Sequence, residues 1–296
     1  MPVSAPPPAP AAPEAAVATL AGLRAEIDRL DDALHDTLMA RAAVVAQLGA
    51  LNAKGRTPFR AGREAAILRR LLGRHRGPLP AQALPRIWRE ILAGTTAIQG
   101  GFSVAVCETD GDGAFGALAR EHFGALTPLR RVPTPAQALA EVSAATASVA
   151  VLPLASETEP QTAAWWRALL PREEPRMHIV ARLPFWAPRP EGAPRAQAFV
   201  VAAVPPDPSG RDRTLLGLEL APEVSRARLI ALLGSAGFAP GTIILRRDRG
   251  AEAAEALAEV EGFMTEADPR LATLAPLARP AVVLGAYAVP EGDGAP

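Results

Sequence analysis

Residues 23–51 read LRAEIDRLDDALHDTLMARAAVVAQLGAL, and this stretch decides the fold of the N-terminal part of the chain. Its apolar side chains recur alternately four and three residues apart, which is the spacing of a heptad-like seam on an α-helix. The helical pattern continues from about residue 19 to residue 53, and at 1.5 Å per residue such a helix is about 50 Å long. A small domain cannot enclose a helix of that length. The seam consists of Leu23, Ile27, Leu30, Leu34, Val44, Leu48 and Leu51.

A charged residue, Arg41, occupies a position in this apolar seam. Taking a guanidinium out of water is costly unless an anion or fixed hydrogen-bond acceptors meet it there. Two structural explanations are open: the side chain can extend along its alkyl stem to the surface, or it can pair with a structural carboxylate. The third explanation is that Arg41 binds an anionic ligand, and the rest of the helical segment favours it.

Length, charge and cysteine content exclude several classes of protein. The chain has 296 residues, enough for two or three domains, and its 31 basic residues balance 31 acidic ones. A net charge of zero predicts no nucleic-acid or membrane partner, so any anion site has to be local. Cys107 is the only cysteine and the four histidines are scattered. This excludes an internal disulfide and a cysteine-based zinc cluster, and we expect no metal or other cofactor.

The hydropathy pattern favours a cytoplasmic protein. No apolar run approaches the ~20 residues that a membrane-spanning helix requires. Residues 1–18 are rich in proline and alanine and lack the basic start and apolar core of a secretory signal. We therefore expect them to form a disordered tail.

Three segments of different character follow this tail, so the expected fold class is multidomain. Residues 19–101 are helical throughout, with further helices over 62–73 and 81–99. Residues 102–205 alternate strand and helix patterns, which favours an α/β domain with an open, largely parallel sheet. Residues 211–290 follow a linker rich in proline, aspartate and glycine, and their β-α-β-β-α-β order is typical of an α+β, ferredoxin-like domain.

The elements of the last two segments are predicted from the same patterns. In the α/β segment we expect strands over 102–106, 129–132, 148–154, 177–183 and 196–204, and helices over 113–123, 134–143 and 158–170. In the ferredoxin-like segment we expect strands over 214–220, 242–248, 258–264 and 281–287, and helices over 224–236 and 269–277.

Position 52 lies on the same side of the long helix as Arg41. Eleven residues separate Asn52 from Arg41, and at helical period this is a net rotation of only about 20°. Lys54, by contrast, points to roughly the opposite side. Asn52 is therefore the residue that can share a site with Arg41.

Polar residues of the other two helices complete a candidate anion site. Arg63 and Glu64 begin the second helix, where exposed amides and the positive end of the dipole favour an anion. Thr95 and Gln99 are four residues apart on one face of the third helix. Such a site offers cations, neutral donors and one carboxylate, but no nucleophile.

A longer pattern connects these residues. It reads Leu23-Arg24-x-x-Ile27-x-x-Leu30-Asp31, Arg41, Phe59-Arg60-x-x-Arg63-Glu64-Ala65, Ile87-Trp88-Arg89-Glu90-Ile91 and Gln99. In residue type and in spacing, residues 19–101 resemble the all-helical class of chorismate mutase. The resemblance implies an intertwined homodimer with shared active sites, in which three helices of each chain interlock and the long first helix spans both halves.

The resemblance also implies roles for the candidate residues. The substrate would be chorismate, a dianion that rearranges to prephenate in one pericyclic step, in phenylalanine and tyrosine biosynthesis. Arg41 would clamp one carboxylate within the chain, and Arg24 would reach the other from the second chain. Arg63 would assist binding, and Glu64 would accept a hydrogen bond from the ring hydroxyl.

One residue departs from the family pattern at the breaking ether bond. Thr95 and Gln99 would complete the polar lining, with Gln99 directed to the ether oxygen, but the family usually has a lysine where this chain has Asn52. An amide donates only a neutral hydrogen bond, and charge-assisted bonds are roughly twice as strong. We therefore expect slow turnover. The alternative is a catalytically impaired regulatory or partner subunit, whereas a purely structural helical dimeriser leaves Arg41 unexplained.

The order of the segments resembles bifunctional proteins that join chorismate mutase to prephenate dehydratase. Val151-Leu152-Pro153-Leu154 is similar to a strand ending of the dehydratase family. The C-terminal segment is similar to an amino-acid-sensing ACT domain, as the stretches Glu261-Gly262-Phe263, Asp268-Pro269-Arg270 and Val283-Leu284-Gly285-Ala286-Tyr287 indicate.

The dehydratase and ACT motifs themselves are degenerate. The Glu-Asn-Ser motif reads Ala155-Ser156-Glu157 and the Thr-Arg-Phe motif reads Gln197-Ala198-Phe199. Only residues 184–195 stand where the family inserts a second lobe, so we expect a truncated periplasmic-binding-like lobe without dehydratase activity. The ACT motifs are replaced by Pro222-Glu223-Val224-Ser225 and Leu245-Arg246-Arg247-Asp248. This predicts a scaffolding or dimerising role in place of phenylalanine feedback.

Overall fold

The computed structural model describes residues 19–51, 58–109, 111–160, 163–172, 174–187, 189, 191–248, 250–274 and 277–292. A helical N-terminal segment is followed by a large sheet with flanking helices, which confirms the multidomain fold class. The expected tail over residues 1–18 lies outside the described residues, as do Asn52 and Lys54.

The helical segment folds into α1 (Leu20–Leu51), α2 (Ala61–Arg74) and α3 (Ala83–Gln99). All three helices were predicted, with ends within about two residues. None of the residues of α1 is buried, and its seam stays about half exposed, with Leu30 at 51% and Leu34 at 56%. In α2 and α3, by contrast, Leu68 and Leu92 lie in a core. The long first helix therefore leaves its apolar side uncovered in the single chain.

The described residues after α3 form a sheet with three further α-helices. Its elements in chain order are β1 (Val104–Cys107), α4 (Ala114–Phe123), β2 (Leu129–Val132), α5 (Pro135–Ser143), β3 (Val149–Pro153), β4 (His178–Leu183), β5 (Ala198–Ala202), β6 (Asp212–Leu220), α6 (Arg226–Ser235), β7 (Pro240–Arg246), β8 (Ala254–Glu261) and β9 (Val282–Ala288). Within the described residues, these nine strands join one sheet in the order β2-β1-β3-β5-β4-β9-β6-β8-β7.

The prediction of a largely parallel sheet is wrong. Only β1 pairs in parallel with both of its neighbours, β2 and β3, whereas β5 runs antiparallel to β3 and to β4. The segment between β4 and β5 contains no described helix. Parallel neighbours need a long crossover, usually a helix, so a connection without one returns the chain antiparallel.

The ferredoxin-like segment has the predicted strand-and-helix order, with differences in extent. β6 pairs antiparallel with β8 and β9, and β7 pairs antiparallel with β8. The helix expected over 269–277 is only a 3₁₀ helix, Pro269–Thr273. The strand expected over 258–264 is β8, which begins four residues earlier and ends just before Gly262. Gly262 has a φ of +93°.

The helix expected over 158–170 is also wrong in extent. Its described residues contain no α-helix, and Trp165–Leu169 forms a 3₁₀ helix. Both tryptophans of this helix are buried, and Trp165 Nε1 donates a hydrogen bond to the carbonyl of Pro153 at 3.0 Å. The burial of both side chains and the hydrogen bond of Trp165 favour a 3₁₀ turn here, where the helical periodicity of the sequence predicts an α-helix.

The sheet continues from the α/β segment into the ferredoxin-like segment through β4 and β9. The two strands run parallel and pair Ile179 with Gly285. Gly285 has a φ of +144°, and a Cβ atom there would lie 2.0 Å from the carbonyl oxygen of Ile179. Only glycine allows the two backbones this close. One sheet therefore carries both segments, and the domain boundaries at residues 205 and 211 stay a prediction.

Helices α2 and α3 pack on the sheet region, and α1 in turn lies on α3. Phe59, just before α2, packs with Phe102 and Phe123 at ring-centroid distances of 5.9 and 5.3 Å. Leu68 of α2 belongs to one core cluster with Phe185 and Ala288. The helical segment is thus fixed to the sheet through α2 and α3. No helix in the described ranges is long and apolar enough to cross a membrane.

Candidate active site

Arg41 of α1 turns toward α3 and meets Thr95. Its Nη1 donates a hydrogen bond to Thr95 Oγ1 at 3.1 Å, and the Thr95 hydroxyl donates to carbonyls one turn earlier in α3. Burial, followed by the nearby positive charge of Arg63, lowers the pKa of Arg41 below its ordinary value. Glu64 is the nearby carboxylate whose charge attracts Arg41, but its ion-pair partner is Arg89. Arg41 is therefore a half-buried cation held by a neutral hydroxyl, with most of its five donors unused by that contact.

Gln99 lies one turn beyond Thr95 on α3, next to Gly49 of α1. Its Nε2 donates to the backbone carbonyl of Thr95 at 3.3 Å. A Cβ atom at Gly49 of α1 would lie 3.3 Å from the Cα of Gln99, so the small residue allows the close approach. The predicted polar face of the third helix thus points at the long helix.

Glu64 of α2 forms a buried ion pair with Arg89 of α3. Glu64 Oε2 accepts a hydrogen bond from Arg89 Nη1 at 2.7 Å, and the two side chains are only 12% and 8% exposed. Burial raises the pKa of Glu64 from 4.5 to about 7, against the attraction of Arg89. Burial likewise lowers the pKa of Arg89. Glu64 therefore titrates near neutral pH and carries its charge only in part there.

The sequence analysis assigned no role to Arg89, although its position on an apolar helix face is a signal in the sequence. Arg89 shares the buried side of α3 with Pro85, Leu92 and Thr96, at helical spacing. It is a charge on an apolar face, which is the same anomaly that singled out Arg41. Arg89 is part of the pattern that resembles chorismate mutase, but its ion-pair partner, Glu64, lies 25 residues away in α2. No periodicity within one helix relates these two residues.

The amides at the start of α2 are occupied by a carboxylate of the same chain. Asp207, in the linker before β6, accepts hydrogen bonds from the backbone amides of Gly62 at 3.2 Å and Arg63 at 3.0 Å. It also pairs with Arg60 at 3.2 Å. A Cβ atom at Gly62 would lie 2.0 Å from the Asp207 carbonyl oxygen. The expectation that these amides are free for an external anion is therefore corrected: they hold the linker.

The fold brings together five of the seven predicted site residues and separates one. Arg24 lies on α1, seventeen residues before Arg41, which is about 25 Å along the helix axis. It is exposed and cannot reach the Arg41 pocket of its own chain. The position of Asn52 lies outside the described residues. The residues that converge are Arg41, Arg63, Glu64, Thr95 and Gln99.

Among the described residues, the five that converge provide cations, neutral donors and one carboxylate on three helices, and they define a site for an anionic ligand. Residues 23–100 match the family model of chorismate mutase type II. Over 136 residues the chain is 29% identical to the bifunctional chorismate mutase/prephenate dehydratase of Neisseria gonorrhoeae. This alignment covers 46% of this chain and 37% of that protein, so the match spans well under half of the relative.

Alignments with solved structures cover a larger part of the chain at lower identity. Prephenate dehydratase from Arthrobacter aurescens, solved with L-Phe, has 15% identity and a TM-score of 0.49, covering 66% of this chain and 92% of that one. GqqA, described as a novel type of quorum quenching acylase, has 17% identity and a TM-score of 0.45, covering 64% of this chain and 96% of that one.

Proposed function

We propose that the protein is a chorismate mutase that acts as a homodimer. The observation that carries the proposal is Arg41, a half-buried guanidinium held by Thr95 inside residues that match the mutase family model. Chorismate carries two carboxylates and rearranges in one pericyclic step, so the protein needs no nucleophile or cofactor. It has to hold the folded dianion and stabilise negative charge on the breaking ether oxygen.

Each converging residue has a task in this reaction. Arg41 binds one carboxylate of the substrate, and Arg63 adds positive charge at the start of α2. Glu64 accepts a hydrogen bond from the ring hydroxyl, while Thr95 fixes the orientation of Arg41. Gln99 donates to the ether oxygen, where negative charge develops.

The second chain supplies what the single chain lacks. The seam of α1 is uncovered, and a heptad-spaced apolar side of this length is typical of pairing with another helix. A twofold axis across α1 places Arg24 of one chain beside Arg41 of its partner. Each site then holds two guanidinium groups for two carboxylates.

The shared site is tested by mixing two inactive variants. Arg24→Met and Arg41→Met each remove one carboxylate contact, so each homodimer should have little activity in an assay that follows the loss of chorismate absorbance. Co-expression with two different tags yields mixed dimers in which one site carries both changes and the other carries neither. Random pairing should restore about a quarter of the wild-type activity, because half of the dimers then have one intact site.

The control for this experiment is the purified mixed dimer, which should have about half of the wild-type activity. If the mixed dimer is as inactive as its parents, both arginines belong to one chain's site and the shared arrangement is wrong. If the wild-type protein does not consume chorismate at all, the mutase proposal itself is wrong.

The raised pKa of Glu64 predicts a pH dependence of the proposed reaction. Above pH 7 the carboxylate is ionised and lies near a bound dianion, whereas below pH 7 it is neutral and still accepts a hydrogen bond. We expect kcat/KM to fall by about tenfold as the pH rises through 7, since kcat/KM reports the groups of the free enzyme. In Glu64→Gln, which stays neutral, the inflection should be absent; an unchanged inflection would assign it to another group.

Because the chain has Asn52 where the family usually has a lysine, we expect a low kcat that one substitution raises. Asn52→Lys places a charged donor where the family usually has one, and we expect kcat to rise by about ten- to a hundredfold. Asn52→Gln, which lengthens the amide without adding charge, is the matched control. No gain in the lysine variant would instead favour the alternative function, a regulatory or partner subunit that keeps the mutase fold without useful turnover.

We also propose that the sheet region has no dehydratase activity. Glu157, at the position of the degenerate Glu-Asn-Ser motif, accepts a hydrogen bond from the backbone amide of Leu245 at 2.8 Å and pairs with Arg226. Phe199, in the degenerate Thr-Arg-Phe motif, packs against Tyr287. Both positions thus have structural roles, which supports a scaffolding function for the ACT-like segment.

A further inference from the structure

A cavity separate from the proposed mutase site lies between the first half of α3, α4 and the segment after β4. Its volume is about 40 Å³, and its mouth opens to solvent. We call it the α3–α4 pocket. Residues from each of the three elements line it, among them Arg86, Arg89, His122, Phe185, Trp186 and Arg189.

The walls of the α3–α4 pocket are largely aromatic and apolar. Phe185 is buried and contributes one wall, with Trp186 beside it and Leu118 of α4 opposite in the lining. The Arg89 guanidinium carbon lies 5.4 Å from the centre of the Phe185 ring. Flat aromatic walls beside a cation suit a ligand that has a ring and an anionic group.

Three nitrogen atoms in the lining lack a hydrogen-bond partner. They are His122 Nε2, Trp186 Nε1 and Arg189 Nε, each shielded from solvent. The indole and guanidinium nitrogens can only donate. His122 is 9% exposed, and burial together with Arg89 holds its pKa well below the ordinary value, so its ring is neutral. Buried donors without partners are costly, and a ligand oxygen reaches these atoms only if a side chain of the lining moves.

The charges of the lining are unbalanced in favour of the cations. Arg189 is paired with Glu121, at 2.6 Å between Nη2 and Oε2, and Arg89 is paired with Glu64. Arg86, three residues before Arg89 on α3, forms no ion pair with any residue that the structure describes. It stands exposed at the pocket, free to meet an anion.

We propose that the α3–α4 pocket binds a small carboxylate with an aromatic body. The ring lies against Phe185 and Trp186, and the carboxylate is held by Arg86, the exposed cation of the lining. One negative charge matches one unpaired arginine, so the ligand is a monoanion.

Arg89 connects this pocket to Glu64. One side of its guanidinium bonds to Glu64, and the same side chain lines the α3–α4 pocket. A carboxylate bound at Arg86, three residues before Arg89 on α3, also attracts Arg89 and weakens its hold on Glu64. The ligand therefore changes the affinity for chorismate, and chorismate changes the affinity for the ligand by the same factor. This second step rests on the proposed mutase function, whereas binding itself does not.

Calorimetry on the full-length protein tests binding with matched probes. Phenylacetate has the ring and the charge, phenylacetamide has the same shape without the charge, and acetate has the charge without the ring. Phenylacetate should bind at least tenfold more tightly than either. Arg86→Gln should weaken phenylacetate binding by about tenfold, and Arg228→Gln, which changes an exposed arginine on α6, should leave it unchanged.

Repeating the titration in Arg41→Met separates the two sites. Phenylacetate binding that survives in Arg41→Met and weakens in Arg86→Gln supports the α3–α4 pocket. Binding that is lost in Arg41→Met and unchanged in Arg86→Gln belongs to the mutase site and overturns the proposal. Equal affinity for phenylacetate and phenylacetamide, or no binding of any probe, also overturns it. Neither readout requires mutase activity, so a failure of the proposed function is recognised separately.

Discussion

Arg41→Met should lower kcat/KM for chorismate by about a thousandfold and leave the fold intact. Removing one partner of a desolvated charge pair costs about 2–5 kcal/mol, and about 4 kcal/mol corresponds to a thousandfold in rate. In the free protein Arg41 is half-buried, and burial lowers its pKa, so the folded chain is destabilised by holding the cation there. Methionine has a similar length and suits an apolar seam. We therefore expect the urea midpoint of the variant to be equal to or higher than that of the wild type.

Arg41→Lys is the matched control for charge. Lysine keeps the positive charge but cannot bind a carboxylate through two parallel hydrogen bonds, so kcat/KM should fall by about ten- to a hundredfold. Steady-state kinetics and urea unfolding on the same preparations separate binding from folding. A methionine variant that loses both activity and stability would make Arg41 a structural residue, and the anion-site explanation of the seam arginine would be wrong.

The elements that the sequence predicted well are those with long, regular patterns. α1, α2 and α3 follow helical periodicity over many turns, and the misplaced charge at Arg41 directed attention to the site that Thr95 and Gln99 complete. The predicted β-α-β-β-α-β order of the ferredoxin-like segment was also confirmed, although its second helix is only a 3₁₀ helix. In these places local preference and tertiary packing agree.

The elements that the sequence did not predict depend on contacts between distant residues. The pairing of Glu64 with Arg89, and the capping of α2 by Asp207, each join residues that no periodicity relates. The direction of β5 follows from a connection without a helix, and the single sheet depends on Gly285 allowing a close backbone contact. Helical spacing over 158–170 yielded to the burial of Trp165 and its neighbour, since packing overrides propensity in short segments.

Arg89→Met should be strongly destabilising, because it leaves Glu64 buried without its cation. Removing one partner of a buried ion pair costs about 3–5 kcal/mol, and the Glu64 side chain is only 12% exposed. The pKa of Glu64 is already raised from 4.5 to about 7, so the folded protein binds a proton that the unfolded chain releases in that window. Stability then falls as the pH rises from about 4.5 to 7, and without Arg89 the fall extends to higher pH.

The double variant Glu64→Gln/Arg89→Met distinguishes an uncompensated charge from a lost packing contact. Glutamine needs no cation, so the double variant should recover at least half of the stability lost in Arg89→Met. Urea midpoints at pH 5.5 and pH 8 provide the measurement: the single variant should lose much more stability at pH 8, and the double variant should lose similar amounts at both. If both variants are equally destabilised at both pH values, Arg89 contributes through its packing on Phe185, and the ion pair has little part in holding α2 to α3.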